Sequence, residues 1–162
     1  MLLQALPFIK TKFPEVQLLV PGLLGSREYS SLTGNAYFRY LKQLMNTLQL
    51  DAHVTFLGKL DGTGVAAQLE KAHVFALPSF MENSSNALGE AQVIGTPSVV
   101  TPCGGTQDLV THEHNGLISR RGDAYEMALQ ICRIFSSDEL AAELSDKARH
   151  FGHSFHSPEL IR

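Results

Sequence analysis

Glu82 and Glu90 stand with seven residues between them, and the stretch between begins with the small polar run Asn83-Ser84-Ser85-Asn86. Carboxylates accept hydrogen bonds from ribose and sugar hydroxyls, and the unpaired N–H groups that open a helix hold anions such as a diphosphate. Two carboxylates at one helix N-terminus are thus parts that could hold a ligand carrying both an anion and hydroxyl groups. Two further spots bring backbone rather than side chains: the pair Gly104-Gly105, and the turn Gly58-Lys59-Leu60-Asp61. For the glycine pair the pattern fits either a plain turn or a close approach of backbone to a ligand. For the turn, an exposed Lys59 and a helix-capping Asp61 are the simpler reading of the side chains.

The elements that must position these residues follow from periodicity and breakers. An apolar run at His73–Leu77 reads as a strand that breaks at Pro78, and the positions Ala87, Ala91 and Ile94 recur at helical spacing. Ser84 or Ser85 is a suitable N-cap, which leaves Glu82 on the loop and places Glu90 in the second helical turn. Asn86 and Glu90 then share a face, distinct from the face that Ala87, Ala91 and Ile94 would bury. The segment Pro97–Thr101 reads as the next strand and delivers Gly104-Gly105 to the same sheet edge. Upstream, Met1–Phe13 is helix-like around Pro7, Val16–Val20 is a strand, and Pro21–Gly34 a loop. A helix carrying Tyr37, Tyr40, Leu41, Leu44 and Leu48 follows, then a strand at His53–Leu57, a turn at Gly58–Gly62 and a helix at Thr63–Lys71. Downstream come a short helical piece at Gln107–Val110, a short strand at Asn115–Ile118, and helices at Asp123–Phe135 and Asp138–Phe151. This alternation predicts an α/β fold with a Rossmann-like parallel sheet and helices on both faces, whose ligands bind at the carboxyl ends of the strands.

Composition narrows the function. The chain has 162 residues, 44% hydrophobic and 18% charged, with a net charge of −3, which suits one globular domain and leaves no basic footprint for nucleic acid. No apolar run reaches the roughly 20 residues that span a bilayer, and the N-terminus lacks the basic start of a signal peptide. The expectation is a cytoplasmic chain whose full-length parent can sit peripherally at the inner membrane face. Cys103 and Cys132 are expected to be free thiols. His112, His114, His150, His153 and His156 include an i, i+3 pair on the last helix, but no Cys or carboxylate cluster joins it, so no metal is expected. Neither a Gly-x-Gly-x-x-Gly after a first strand nor a Gly-Lys-Ser/Thr loop is present, which disfavours dinucleotide and ATPase chemistry.

The Glu pair in its frame of Leu77-Pro78-Ser79 before and Glu90-Ala91, Gly95-Thr96-Pro97-Ser98-Val99-Val100 and Gly104-Gly105 after resembles the donor half of retaining glycosyltransferases of family 4, the group 1 glycosyl transferases of GT-B fold. The resemblance runs from about Leu2 to Arg149. It implies that backbone N–H groups of Ser84, Ser85 and Asn86 hold the diphosphate of a nucleotide sugar, that Glu90 binds the ribose hydroxyls, and that Glu82 is the catalytic carboxylate facing the transferred sugar. It also implies that main chain at Gly58-Lys59 reads the base of a UDP or GDP donor and that Gly104-Gly105 approach the donor. No cofactor is implied; the nucleotide-diphosphate sugar is a substrate. The frame departs from the family where Asn83, Ser84 and Ser85 replace the usual Gly and aromatic, and where Asp108 replaces Glu.

Against the family pattern the chain is expected to be a single-domain fragment, 1–162, lacking a first strand and the N-terminal domain through which a glycan or lipid-linked acceptor would bind. Alone it is expected to transfer no sugar, while its full-length parent would be a hexosyltransferase in polysaccharide biosynthesis. Two alternatives share the architecture: a non-catalytic α/β ligand-binding module, and half of a nucleotide-sugar epimerase.

Overall fold

The computed structural model describes residues 1–22 and 36–155, so most of the predicted loop Pro21–Gly34, together with His156, lies outside the described residues. The chain opens on α1 (Leu2–Lys12), in which Pro7 is accommodated, and enters β1 (Leu18–Pro21). Then follow α2 (Ala36–Thr47), β2 (Val54–Gly58), α3 (Gly62–Lys71), β3 (Phe75–Leu77), α4 (Asn86–Ile94), β4 (Ser98–Val100), α5 (Thr106–Leu109), β5 (Leu117–Ile118), α6 (Ala124–Phe135) and α7 (Asp138–Phe155). The α/β alternation matches the sequence reading element for element.

All strand pairings are parallel, but the ladders form two pieces. β1 pairs with β2 in the register Leu18 to Val54, and β3–β4–β5 form a separate three-stranded sheet with Val99 opposite Ala76 and Leu117. A single apolar core nevertheless joins them: Leu6, Ile9, Val54, Val99, Leu117, Met127 and Ile131 belong to one buried cluster. Strand β4 is buried along its whole length, as expected for a strand paired on both edges and covered on both faces. A second cluster of Leu88, Val100, Leu109 and Val110 lies beneath α4.

One expected burial pattern, that of α4, is corrected. Tyr37 and Tyr40 on α2 are exposed, and Met45 is the buried residue of that helix. On α4, Ala91 is buried as expected, but Ala87 is exposed and Ile94 only half-buried, while Leu88, Gly89 and Gln92 are buried as well. The reason is tertiary, since α4 packs on α7 as well as on the sheet and α3, and these neighbours turn its buried face toward Leu88. The end of α4 is equally well defined: Gly95 adopts a left-handed φ of 89°, and Arg149 from α7 donates to the Ile94 carbonyl from Nε at 3.2 Å and Nη2 at 3.0 Å. No helix among the described residues is long and apolar enough to cross a membrane.

Candidate functional site

Three loops leave the carboxyl ends of β2, β3 and β4 and carry the residues of interest. The loop after β3 is pinned at Ser79, whose carbonyl accepts from the Thr101 hydroxyl at 2.5 Å and from the Cys103 thiol at 3.2 Å. Its hydroxyl donates to Glu82 Oε2 at 3.3 Å. Glu82 is half-buried, and its carbonyl accepts from the Gly105 N–H at 3.3 Å. Ser79 and Thr101, absent from the sequence-based site, thus locate the carboxylate. The available signal was the spacing, with Ser79 three residues before Glu82.

The glycine pair has a cause in the protein itself. Gly104 has a φ of +48°, and a Cβ there would fall on the Glu82 carbonyl oxygen; at Gly105, whose φ is an ordinary −65°, it would fall on the Asn83 carbonyl oxygen. Close approach is therefore real at both positions, and the group approached is the neighbouring loop.

Of the two candidate caps, Ser85 is the one used: it is buried, and its Oγ accepts from the Leu88 N–H at 3.2 Å. The N–H groups of Ser84, Ser85 and Asn86 donate to no described residue. One turn further, Glu90 is exposed and shares a face with Asn86, as expected, and neither side chain has a partner among the described residues. Both line a groove of about 480 Å³ with Gly89 and Val93 of α4, opposite Gly62 and Val65 at the start of α3.

That opposite wall is set by the turn after β2. Gly58 takes a φ of +72° and its carbonyl accepts from the Gly22 N–H at 2.8 Å. Asp61 is the N-cap of α3, its Oδ1 accepting from the Gly64 N–H at 2.7 Å, and Lys59 is exposed, so both side chains follow the simpler reading. Gly58 and Lys59 do not themselves line the groove; Gly62 does.

The structure thus gathers the predicted residues into two neighbouring groups. Glu82, Gly104 and Gly105 form a cross-tied cradle, and Asn86 and Glu90 form one wall of an open groove, with the first turn of α4 and its unengaged amides between the groups. An anion at such a helix start gains about 0.3–1 kcal/mol, and up to about 2 kcal/mol when partly buried. Away from these groups, Glu113 is held below the usual carboxylate range by its hydrogen bond to Arg133, Glu126 by Arg120 and Glu143 by Lys147. Among the described residues no cluster of three His, Cys, Asp or Glu residues could hold a metal, and His150 and His153 are exposed on α7. A larger groove of about 640 Å³, over Phe8, Tyr125 and Leu129, contains none of the predicted site residues.

Comparison with known proteins places this geometry. The family model described as glycosyl transferases group 1 matches residues 1–151. An N-acetyl-alpha-D-glucosaminyl L-malate synthase of Bacillus anthracis is 30% identical over 112 residues, 69% of this chain and 29% of that protein. In structure, a sucrose-phosphate synthase from Thermosynechococcus elongatus superposes with a TM-score of 0.84 at 28% identity, over 99% of this chain and 39% of that one. The Anabaena protein Alr3699/HepE, solved in complex with UDP-glucose, superposes with a TM-score of 0.79 at 24% identity, over 94% of this chain and 39% of its own. The chain therefore spans less than half the length of each of these proteins and has the architecture of one GT-B glycosyltransferase domain.

Proposed function

The chain belongs to the group 1 glycosyl transferases, and on that premise we propose that it is the donor-binding part of a retaining enzyme that moves a hexosyl group from a nucleoside-diphosphate sugar to a glycan or lipid-linked acceptor. The observation that carries this reading is the start of α4. Three N–H groups without a described partner stand there between a held carboxylate, Glu82, and an exposed one, Glu90. In this reading the diphosphate lies on the amides of Ser84, Ser85 and Asn86, and the ribose hydroxyls donate to Glu90. The base sits against the backbone that runs from Gly58 and Lys59 to Gly62. Glu82, backed by Gly104 and Gly105, accepts from hydroxyls of the sugar.

The chemistry follows from that placement. The bond from the anomeric carbon to the diphosphate oxygen breaks, the acceptor hydroxyl oxygen takes its place at the same carbon while its proton passes to the departing diphosphate, and the negative charge that grows on that leaving group is met by fixed N–H dipoles. The acceptor must come from outside the described residues, and with it the orientation that makes transfer fast. We accordingly expect the chain by itself to bind donor and transfer no sugar.

Thermal unfolding in the presence of uridine, guanosine and adenosine diphosphates tests the binding step, because a ligand present at ten times its Kd adds about 1.4 kcal/mol to stability. A stabilisation by at least one diphosphate is expected, and none by any of the three removes the proposal. Two substitutions locate the anion. Ser85→Ala removes the cap and costs about 1 kcal/mol of stability, while keeping the N–H. Ser85→Pro removes the N–H as well, one residue before the first helical position, and needs the φ of −94° to close by about 30° toward the value proline fixes, so the variant is used only once shown to be folded. Calorimetry on the folded variants should find diphosphate bound by Ser85→Ala and lost in Ser85→Pro; equal affinity in the two would place the phosphates elsewhere.

A further inference from the structure

Two adjacent arginines occupy the turn after β5, and they point to different tasks. Arg120 is spent on the turn itself: its N–H and Nε donate to Glu126 Oε2 at 2.7 and 2.8 Å, and its Nη2 lies 3.1 Å from Asp123 Oδ2. Asp123 in turn caps α6, accepting from the Glu126 N–H at 2.9 Å, and donates its own N–H to the Arg120 carbonyl at 3.2 Å. Gly122 closes the turn with a φ of +79° and faces the ring of Phe80, which a Cβ there would meet at 3.7 Å. The turn is thereby fixed to the start of α6.

From this platform Arg121 reaches the other way. Its Nη1 donates to the Phe80 carbonyl at 3.3 Å and its Nη2 to the Pro102 carbonyl at 3.4 Å. Phe80 is two residues from Glu82, and Pro102 two residues from Gly104. One planar guanidinium thus spans both loops of the cradle, a task that suits its forked donors and that a single ammonium cannot duplicate.

We propose that Arg121 is a positioning residue of the donor site, tying the loops after β3 and β4 to the turn after β5 and so setting where Glu82 stands relative to the sugar. The proposal rests on the donor-site reading above. Its range is narrow: Arg121 contacts the loop carbonyls and not the helix amides or Glu90, so it acts on the sugar end of the ligand and leaves the nucleotide end alone.

The test compares Arg121→Met, which keeps length and loses all donors, with Arg121→Lys, which can reach one carbonyl at a time. The first readout is amide hydrogen exchange in the free chain. Arg121→Met should speed exchange of the bonded amides of the loop after β4, those of Thr101 and Cys103 and above all Gly105, whose N–H donates to the Glu82 carbonyl, with α6 unchanged and with Arg121→Lys intermediate. The second is calorimetry with UDP and UDP-glucose as probes: affinity for UDP-glucose should fall about three- to tenfold in Arg121→Met, and that for UDP less than about twofold. Parent-like exchange at these amides, Gly105 included, would overturn the proposal without any ligand, and an equal fall for both probes would reduce Arg121 to a general stabiliser. If exchange responds as stated but neither probe protects either loop in the parent chain, the tie stands and the donor-site reading is what fails.

Discussion

The two glutamates that frame the start of α4 are held in opposite ways. Glu82 sits on a loop, half-buried, with its carboxylate bonded to Ser79 and its carbonyl to Gly105, so its position depends on contacts with the neighbouring loop. Glu90 sits one turn into a regular helix, exposed and unpartnered among the described residues, so helix geometry alone decides where it points. A residue placed by cross-loop contacts is sensitive to changes at its neighbours, whereas one placed by a helix is sensitive only to its own replacement. The cradle should therefore break from a distance and the groove only locally.

The largest expected effect comes from Gly104→Ala. The new Cβ collides with the Glu82 carbonyl at a backbone conformation that alanine rarely adopts, so we predict a loss of about 2–4 kcal/mol in stability from overpacking and strain together. Urea unfolding measures it, and a midpoint equal to the parent's would show that the two loops are free to part. Glu90→Gln comes next and acts only on the ligand. Replacing a charged acceptor by a neutral one should weaken nucleoside diphosphate binding by about 1–3 kcal/mol, with stability changed by less than about 0.5 kcal/mol. Calorimetry beside a melt decides, and unchanged affinity takes Glu90 out of the groove's chemistry. Glu82→Gln is the smallest effect for a sugar-free nucleotide, within about twofold, because the amide can still accept from Ser79. A large loss of UDP affinity in that variant would erase the contrast between the two acids.

Much of this was legible before the structure, for identifiable reasons. Pro78, Pro97 and the serine run mark strand and helix ends by local chemistry, and local chemistry is decided within a few residues of sequence. A cap at Ser84 or Ser85, the loop position of Glu82 and the shared face of Asn86 and Glu90 all follow from it, and the structure selects Ser85. What escaped depends on partners distant in the chain. Ala87 was expected to be buried because its spacing fits a helical stripe, but α7 and the sheet turn the buried face to Leu88 and Gln92, and Gln92 donates from Nε2 to the Leu109 carbonyl at 2.7 Å. The same holds for the glycine pair. Its spacing could not reveal that the surface approached is the chain's own loop, and Arg121 carries no local mark of the 41 residues it spans to reach Phe80.

At Gly152, α7 passes over Gln92 and Val93 of α4. A Cβ there would lie 2.7 Å from the Val93 nitrogen and 2.8 Å from the Gln92 carbonyl carbon, so α7 meets the backbone of α4 directly, with no side chain between them as a cushion. Two helices in such contact cannot slide without parting, and α4 keeps its orientation through a residue that touches none of the loops discussed. For sequence divergence this makes position 152 a closed one. Any side chain at position 152 would have to push the backbone of α4 away.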